Sequence, residues 1–350
     1  MLLPTVLLHE HLDGGLRVST VLGLASSIGA ELPATDEASL ASWFDQGKSG
    51  SLEGYLEAFR HTVGVMQTPD ALRRVARESL EDLGGQGVVY AEIRFAPMLN
   101  TATGLRPEAV VEAVLDGLKL GASSTGVEWG LILDAMRNRS GSEGVAELCA
   151  AYADAGVVAF DLAGPERGHP PDAHLPAMRI VRRAGLNLTI HAGEAAGVDS
   201  IRRAVHLCGA DRIGHGVDII DDCTLVDGKI VSMGALAEEI RDRRIPLELC
   251  LTSNLHTKGW TPAEHPADAL YRAGFNVTIN TDNRLMSATS VPTEFALLAD
   301  HHGWRPADFA RVTRAALEAA FCGEETKSRL WEQRIMPRFA DLGVPVSPTW

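Results

Sequence analysis

Short apolar runs rich in valine, isoleucine and leucine recur along the chain. Each gives way to polar residues or glycine before an amphipathic stretch begins. Eight such runs cover residues 5–12, 88–97, 129–136, 157–164, 187–194, 212–216, 246–253 and 276–283. Between them, stretches such as 69–83, 107–120 and 143–155 space their apolar residues at the helical period. Strand and helix in alternation predict a parallel sheet, and eight units predict an α/β fold of the (β/α)8 TIM barrel type. The first connection, residues 13–87, is much longer than the others and predicts a helical insertion after strand 1. In it, Leu52, Tyr55, Leu56 and Phe59 fall on one helical face. That face either packs on the barrel in the ordinary way or forms an apolar lid at its mouth, because long barrel loops sit at the active end. The tail from Trp304 reads as C-terminal helices. No repeat, low-complexity tract or linker divides the chain, so residues 1–350 are expected to form a single domain.

Composition narrows the class. At 350 residues and 45% hydrophobic, the chain can bury a large core. No apolar run reaches the roughly 18 residues of a membrane span, so no membrane partner is expected. The N-terminus lacks a basic targeting region and runs directly into the first strand. Five scattered cysteines form no Cys-x-x-Cys pair, which fits a reducing, cytoplasmic setting rather than a disulfide or thiolate-zinc framework. A net charge of −14 argues against nucleic acid as a partner and is compatible with a small neutral substrate.

The predicted strand ends carry the chemistry. Strand 1 ends in His9-Glu10-His11-Leu12-Asp13, strand 5 in His191-Ala192-Gly193-Glu194, strand 6 in Gly214-His215-Gly216 and strand 8 in Asn280-Thr281-Asp282-Asn283. Residues two apart on a strand face the same way, so His9 and His11 form half of a metal site while Glu10 faces away from it. A His-x-His pair alone is a weak signal. Catalytic groups of a barrel, however, come from the C-terminal ends of several strands, and four strands here bring histidines and carboxylates to one space. His9, His11, His191 and Asp282 make a nitrogen/oxygen set suited to zinc, which acidifies a bound water from a pKa near 15.7 toward roughly 7. Glu194 is placed to reach a substrate, and His215 to orient the hydroxide or balance its charge. No lysine lies between Lys119 and Lys229 to serve as a carboxylated bridge on strand 4, so one Zn²⁺ per chain is expected.

These segments, with Asp161-Leu162-Ala163-Gly164 and Leu249-Cys250-Leu251-Thr252-Ser253-Asn254, resemble the adenosine deaminase branch of the amidohydrolase superfamily. The resemblance runs from residue 5 to about 340, in order and spacing. It implies hydrolytic deamination of adenosine and 2′-deoxyadenosine to inosine, 2′-deoxyinosine and ammonia. On that resemblance His9, His11, His191 and Asp282 hold Zn²⁺. Glu194 protonates purine N1, His215 stabilises the attacking hydroxide and Asp282 helps orient it. His11, Asp13, Gly164 and Asn283 face the substrate: Asp13 accepts the ribose 5′-hydroxyl, and the Gly164 backbone N–H approaches ring N3. Leu52, Tyr55, Leu56 and Phe59 match the family's apolar lid. The chemistry agrees, because expelling ammonia from an aromatic carbon needs a strong nucleophile, a proton donor and charge stabilisation.

Three departures bear on the substrate. Animal-type members carry a second aspartate followed by proline where this chain has Asn283-Arg284. The Asn283 amide donates at any pH, so a contact to purine N7 is expected to survive. Leu251 replaces a proline common in this position, and His256 stands where bacterial relatives often carry glutamine. Aminodeoxyfutalosine, adenine or an N6-substituted nucleotide are the alternative substrates. Asp13 favours a nucleoside, while Arg284 and Lys258 leave a phosphate open. A catalytically silent nucleoside-binding barrel is the alternative of a different class. The sequence leaves the oligomeric state undetermined.

Overall fold

The computed structural model describes residues 2–47 and 49–345. Strand β1 (Thr5–His11) is followed by five helices, α1 (Val18–Ile28), α2 (Glu37–Phe44), α3 (Leu52–Leu56), α4 (Phe59–Val65) and α5 (Pro69–Gly85). Strand and helix then alternate through β2 (Val88–Phe95), α6 (Pro107–Thr125), β3 (Glu128–Met136), α7 (Ser142–Ala151), β4 (Val157–Ala163), α8 (Leu175–Arg183), β5 (Asn187–Ala192), α9 (Gly197–Arg203) and β6 (Arg212–His215). A hairpin of β7 (Cys223–Val226) and β8 (Lys229–Met233) precedes α10 (Ala235–Asp242), β9 (Leu247–Leu249), α11 (Leu251–Lys258), α12 (Ala267–Arg272) and β10 (Val277–Ile279). The tail holds α13 (Val291–His302), α14 (Pro306–Ala319), α15 (Glu324–Leu330) and α16 (Met336–Ala340).

Eight parallel strands pair in the order β1-β2-β3-β4-β5-β6-β9-β10. The ring closes beyond β10, where the His11 N–H donates to the Asp282 carbonyl (2.8 Å) and the Asp282 N–H to the His9 carbonyl (3.0 Å). The expected (β/α)8 TIM barrel is therefore present, with the helical insertion after its first strand and helices in the tail. Closure at this point brings the Asp282 backbone beside His9 and His11. No described helix is long and apolar enough to cross a membrane.

Local chemistry accounts for the elements. Helix α5 starts where the Thr68 side chain accepts from the Ala71 N–H and Pro69 presets the first turn. Helix α6 packs closely on α5 because Gly117 lies there, and a Cβ at this position would come within 2.3 Å of the Arg73 carbonyl oxygen. The barrel interior is charged as well as apolar. Arg94 donates to Asp161 (2.9 Å), Glu248 (2.8 Å) and the Leu8 carbonyl (2.6 Å), while Arg212 donates to Glu92 (2.5 Å) and Glu248 (2.6 Å). All five ionisable groups are buried. Such burial is tolerated only where charges are paired and hydrogen-bonded, as here.

Several predicted boundaries are corrected. Residues 12, 96–97, 164, 193–194 and 216 lie past the strand ends, in loops and short 3-10 helices. The run 246–253 is not one strand: β9 stops at Leu249 and α11 begins at Leu251. The buried face of α11 holds Ser253, Asn254 and Thr257, so hydropathy missed a helix whose inward residues are polar. The run 276–283 likewise pairs only over Val277–Ile279, and 143–155 divides into α7 and a short turn of 3-10 helix. The proposed single helical face at 52–59 is two helices, α3 and α4. The hairpin was not foreseen, although Asp227-Gly228 with both φ angles positive (49° and 72°) suits its tight turn.

Candidate active site

His9 and His11 project from the end of β1 and His191 from β5, while Asp282 follows β10. One ligand atom from each lies within 4.8 Å of all the others. The Nε2 atoms of His11 and His191 stand 3.2 Å apart, and Asp282 Oδ1 lies 3.3 Å from His9 Nε2 and 3.4 Å from His11 Nε2. Glu10 faces the other way, as expected. Its carboxylate accepts from Thr281 Oγ1 (2.5 Å) and Arg284 Nε (2.6 Å).

Each histidine of the set has a carboxylate behind it. Glu248 Oε2 lies 2.8 Å from His9 Nδ1, Asp134 Oδ2 lies 3.3 Å from His11 Nδ1, and Asp161 Oδ2 lies 2.9 Å from His191 Nδ1. A proton on each Nδ1 directed at its carboxylate leaves each Nε2 lone pair facing the centre, the arrangement that suits a metal ligand. His9 Nε2 is buried with no hydrogen-bond partner. Burial keeps His191 neutral by lowering its pKa to about 3. At His11 burial acts in the same sense, but Asp134, Asp282 and Asp13 outweigh it and raise the pKa to about 9, so the local field favours a cation. The donor set therefore fits a nitrogen/oxygen-bound metal such as zinc.

Beside this group stand Glu194 and His215. His215 Nε2 is 3.6 Å from Glu194 Oε2, and both residues are buried. Burial raises the Glu194 pKa, and the nearby Asp282 and Glu166 charges act in the same direction. His215 and Asp282 have φ of 60° and 58°, a left-handed backbone that side-chain-bearing residues rarely adopt. Strain of this kind persists where the surroundings over-determine it, commonly at functional sites. Helix α11 supplies part of that restraint. Ser253 donates to Asp282 Oδ2 (2.6 Å), and Thr257 donates to Glu194 Oε1 (3.0 Å).

The Glu194 loop is fixed from behind by Glu166. Its carboxylate accepts from the backbone N–H groups of Gly193 (2.6 Å), Glu194 (3.0 Å), Ala195 (2.5 Å) and Ala196 (3.0 Å). Burial alone would raise the Glu166 pKa. Arg137 and the backbone amides overcome that and bring it below the ordinary glutamate range. A depressed folded pKa contributes stability that is present above the unfolded value and is lost as pH falls through the folded one. Glu166→Gln should therefore be clearly less stable than the parent at pH 7, and the gap should close below about pH 4. Urea unfolding at the two pH values measures it, and an equal gap at both would exclude the assignment.

A cavity of about 490 Å³ opens over these groups. Leu52, Tyr55, Leu56 and Phe59 all line it despite the break between α3 and α4. Tyr55 is anchored by a hydrogen bond between its hydroxyl and Ser287 Oγ (2.7 Å). Asp13, Gly164 and Asn283 line the cavity too, and Asp13 Oδ1 and Asn283 Oδ1 have no hydrogen-bond partner. Of the departures, Leu251 is buried at the start of α11, and the His256 ring lies 6.5 Å from that of Tyr55. Arg284 is paired with Glu10 and Lys258 with Asp218, and neither lines the cavity.

The sequence reading brought together every proposed ligand and reacting group but missed Asp134, Glu166, Glu248, Ser253, Asn254 and Thr257. A signal existed for two of them. Asp134 follows Leu131-Ile132-Leu133, and Glu248 stands between Leu247 and Leu249. A carboxylate within an apolar strand must find buried partners.

The family model described as adenosine deaminase matches residues 4–336. The adenosine deaminase of Mycobacterium marinum is 49% identical over 347 residues, which span 97% of this chain and 96% of the relative. An adenine deaminase from Arthrobacter aurescens superposes with a TM-score of 0.85 at 23% identity, covering 97% of this chain and 99% of its own. An amidohydrolase from Burkholderia ambifaria, solved with bound zinc, gives 0.82 at 24% identity, covering 97% and 92%. These two solved structures share the fold.

Proposed function

The chain belongs to the adenosine deaminase family, and from that premise we propose how its residues divide the work of deamination. The reaction is hydrolytic: adenosine and water give inosine and ammonia, and the same chemistry applies to 2′-deoxyadenosine. The observation that carries the assignment is the meeting of Glu194 and His215 with the four-residue ligand group, Asp282 among its members, at one cavity.

His9, His11, His191 and Asp282 would hold zinc, whose contribution when bound is Lewis acidity that makes water a nucleophile at neutral pH. The remaining work belongs to the chain. Glu194, whose pKa burial raises, donates to purine N1 and makes C6 electrophilic; its carboxylate then takes a proton from the attacking oxygen and carries it toward the departing amine. His215 donates from Nε2 to the attacking oxygen. The Asp282 carboxylate, held at Oδ2 by Ser253, directs that oxygen at C6. Asp13 accepts from the ribose 5′-hydroxyl, and the Gly164 N–H donates to N3. Leu52, Tyr55, Leu56 and Phe59 exclude bulk water from the cavity, which strengthens each of these polar contacts.

Asn283 is assigned to purine N7 through its amide N–H. Asn283→Ala should raise the KM for adenosine about tenfold or more, the scale of one lost hydrogen bond to a buried acceptor. Asn283→Asp should be tolerated once protonated. An analogue with carbon in place of N7 should bind wild type and Asn283→Ala alike. A loss of affinity for that analogue equal to the loss for adenosine would remove the N7 assignment.

The overall reading is tested with adenosine, 2′-deoxyadenosine, adenine, AMP and aminodeoxyfutalosine, following ammonia release and the ultraviolet shift to the 6-oxo product. Turnover of the two nucleosides is expected, lost on chelation and restored by zinc. Turnover confined to the other three would overturn the nucleoside assignment. Absence of all turnover in zinc-loaded protein would favour a silent binding barrel.

A further inference from the structure

The faces of His215 are not equivalent. Its Nε2 looks toward Glu194, whereas its Nδ1 accepts from Asn254 Nδ2 at 3.1 Å. Asn254 is itself held, because His265 Nε2 lies 3.2 Å from Asn254 Oδ1. His265 is held in turn by the main chain: the Ala267 N–H donates to His265 Nδ1 at 3.1 Å. His215, Asn254 and His265 are all buried.

A backbone N–H can only donate, so His265 Nδ1 must be the acceptor and carries no proton. Burial lowers the His265 pKa to about 3, so the ring is neutral and its one proton is on Nε2. That proton faces Asn254 and requires its oxygen there, which turns the amide nitrogen toward His215. The amide N–H then requires His215 Nδ1 to be an acceptor. A neutral His215 must consequently hold its proton on Nε2, facing the reaction. Turning the Asn254 amide over would set its NH2 against the His265 N–H, and moving that proton would set it against the Ala267 N–H. Each alternative places two donors face to face.

We propose that Asn254 and His265 are positioning residues that relay the direction of the Ala267 backbone N–H to His215 and fix it as the Nε2–H tautomer. In that form His215 is a hydrogen-bond donor to the attacking oxygen and is not a base that takes its proton. The inference rests on the role proposed for His215 above. Ser253 and Thr257, one residue before and three after Asn254 on α11, hold Asp282 and Glu194, so this single helix orients all three reacting side chains.

The test is nitrogen-15 NMR of the histidine rings in zinc-loaded protein, with His215 and His265 assigned from spectra of variants at each position. Wild type should show His265 neutral with its proton on Nε2 and His215 with no proton on Nδ1. Asn254→Asp, nearly isosteric, replaces the donor with a second acceptor, so His215 should gain a proton at Nδ1. Its kcat should fall by about tenfold or more at unchanged zinc content, with KM within about twofold; partners of this kind commonly count for about 10–100-fold. His265→Ala should lower kcat in the same way although it touches neither ligand group nor cavity, and Asn254→Asp keeps the test open if that variant does not fold. Finding His215 protonated at Nδ1 in wild type, or unchanged in Asn254→Asp, would overturn the relay. Absence of deamination in a wild type that shows the expected tautomers would overturn the proposed function and leave the relay standing.

Discussion

Glu194→Gln should lower kcat for adenosine by about 10²- to 10⁴-fold, the usual contribution of a positioned acid–base group. The replacement is chosen to keep everything else. Glutamine retains an oxygen to accept from Thr257, which reaches Glu194 Oε1 at 3.0 Å. The loop it sits on is held by Glu166 through four backbone N–H groups and does not depend on the Glu194 charge. None of the four ligand-group residues changes. What is lost is the transferable proton. A carboxyl whose pKa is raised by burial is biased toward its protonated form; it can give that proton to purine N1 and take another from the attacking oxygen. A carboxamide can donate a hydrogen bond to N1 but cannot complete the transfer. Zinc content and affinity for a non-reacting purine nucleoside should therefore stay within a few fold while kcat collapses. Steady-state kinetics, metal analysis and equilibrium binding distinguish the cases. A kcat within tenfold of wild type would remove Glu194 from the proton path, and loss of zinc together with activity would make its role structural.

The sequence disclosed the site more sharply than its supports, for a physical reason. Ligands of a barrel enzyme gather at strand ends, where an apolar run meets histidine or a carboxylate, and His9, His11, His191 and Asp282 each mark such a boundary. Residues that act through another residue leave no such mark. Asn254 and Thr257 lie on a helix that hydropathy had merged with β9, and their partners are 39 and 63 positions away in sequence. Glu166 falls in a loop whose function depends on four amides from another loop. Arg284 shows the converse: read as open to a phosphate, it is buried against Glu10, on the side of β1 opposite the ligand group. The eight-unit fold was legible because alternation survives small errors of boundary. The split of residues 52–59 between α3 and α4 was not, since Leu52, Tyr55, Leu56 and Phe59 line one cavity across the break.

Glu248→Gln should cost about 3–5 kcal/mol of stability, the usual result of uncoupling a buried charge from its partners, and should weaken zinc binding about 10–100-fold. Both effects arise from one side chain. Glu248 is fully buried and takes hydrogen bonds from Arg94 (2.8 Å), Arg212 (2.6 Å), Thr189 (3.2 Å) and His9 Nδ1 (2.8 Å). Burial by itself would raise its pKa, yet Arg94 and Arg212 hold it well below the ordinary range. Its contribution is therefore complete at neutral pH and is lost only in acid, as pH falls through that depressed value. Glutamine preserves the shape but brings an NH2 into a site where every neighbour donates. If that NH2 faces His9, the imidazole proton moves to Nε2 and the lone pair of one ligand is lost. If it faces an arginine, two donors meet in the barrel core. Urea unfolding reads the first effect and competition with a chelator of known affinity reads the second. Asp161→Asn, which acts behind His191 and removes one partner of Arg94, should show the same pair of losses. A Glu248→Gln protein that unfolds early yet binds zinc as tightly as wild type would separate the two functions and confine Glu248 to the core. Loss of both supports a barrel whose buried charge network and metal ligands are a single electrostatic unit.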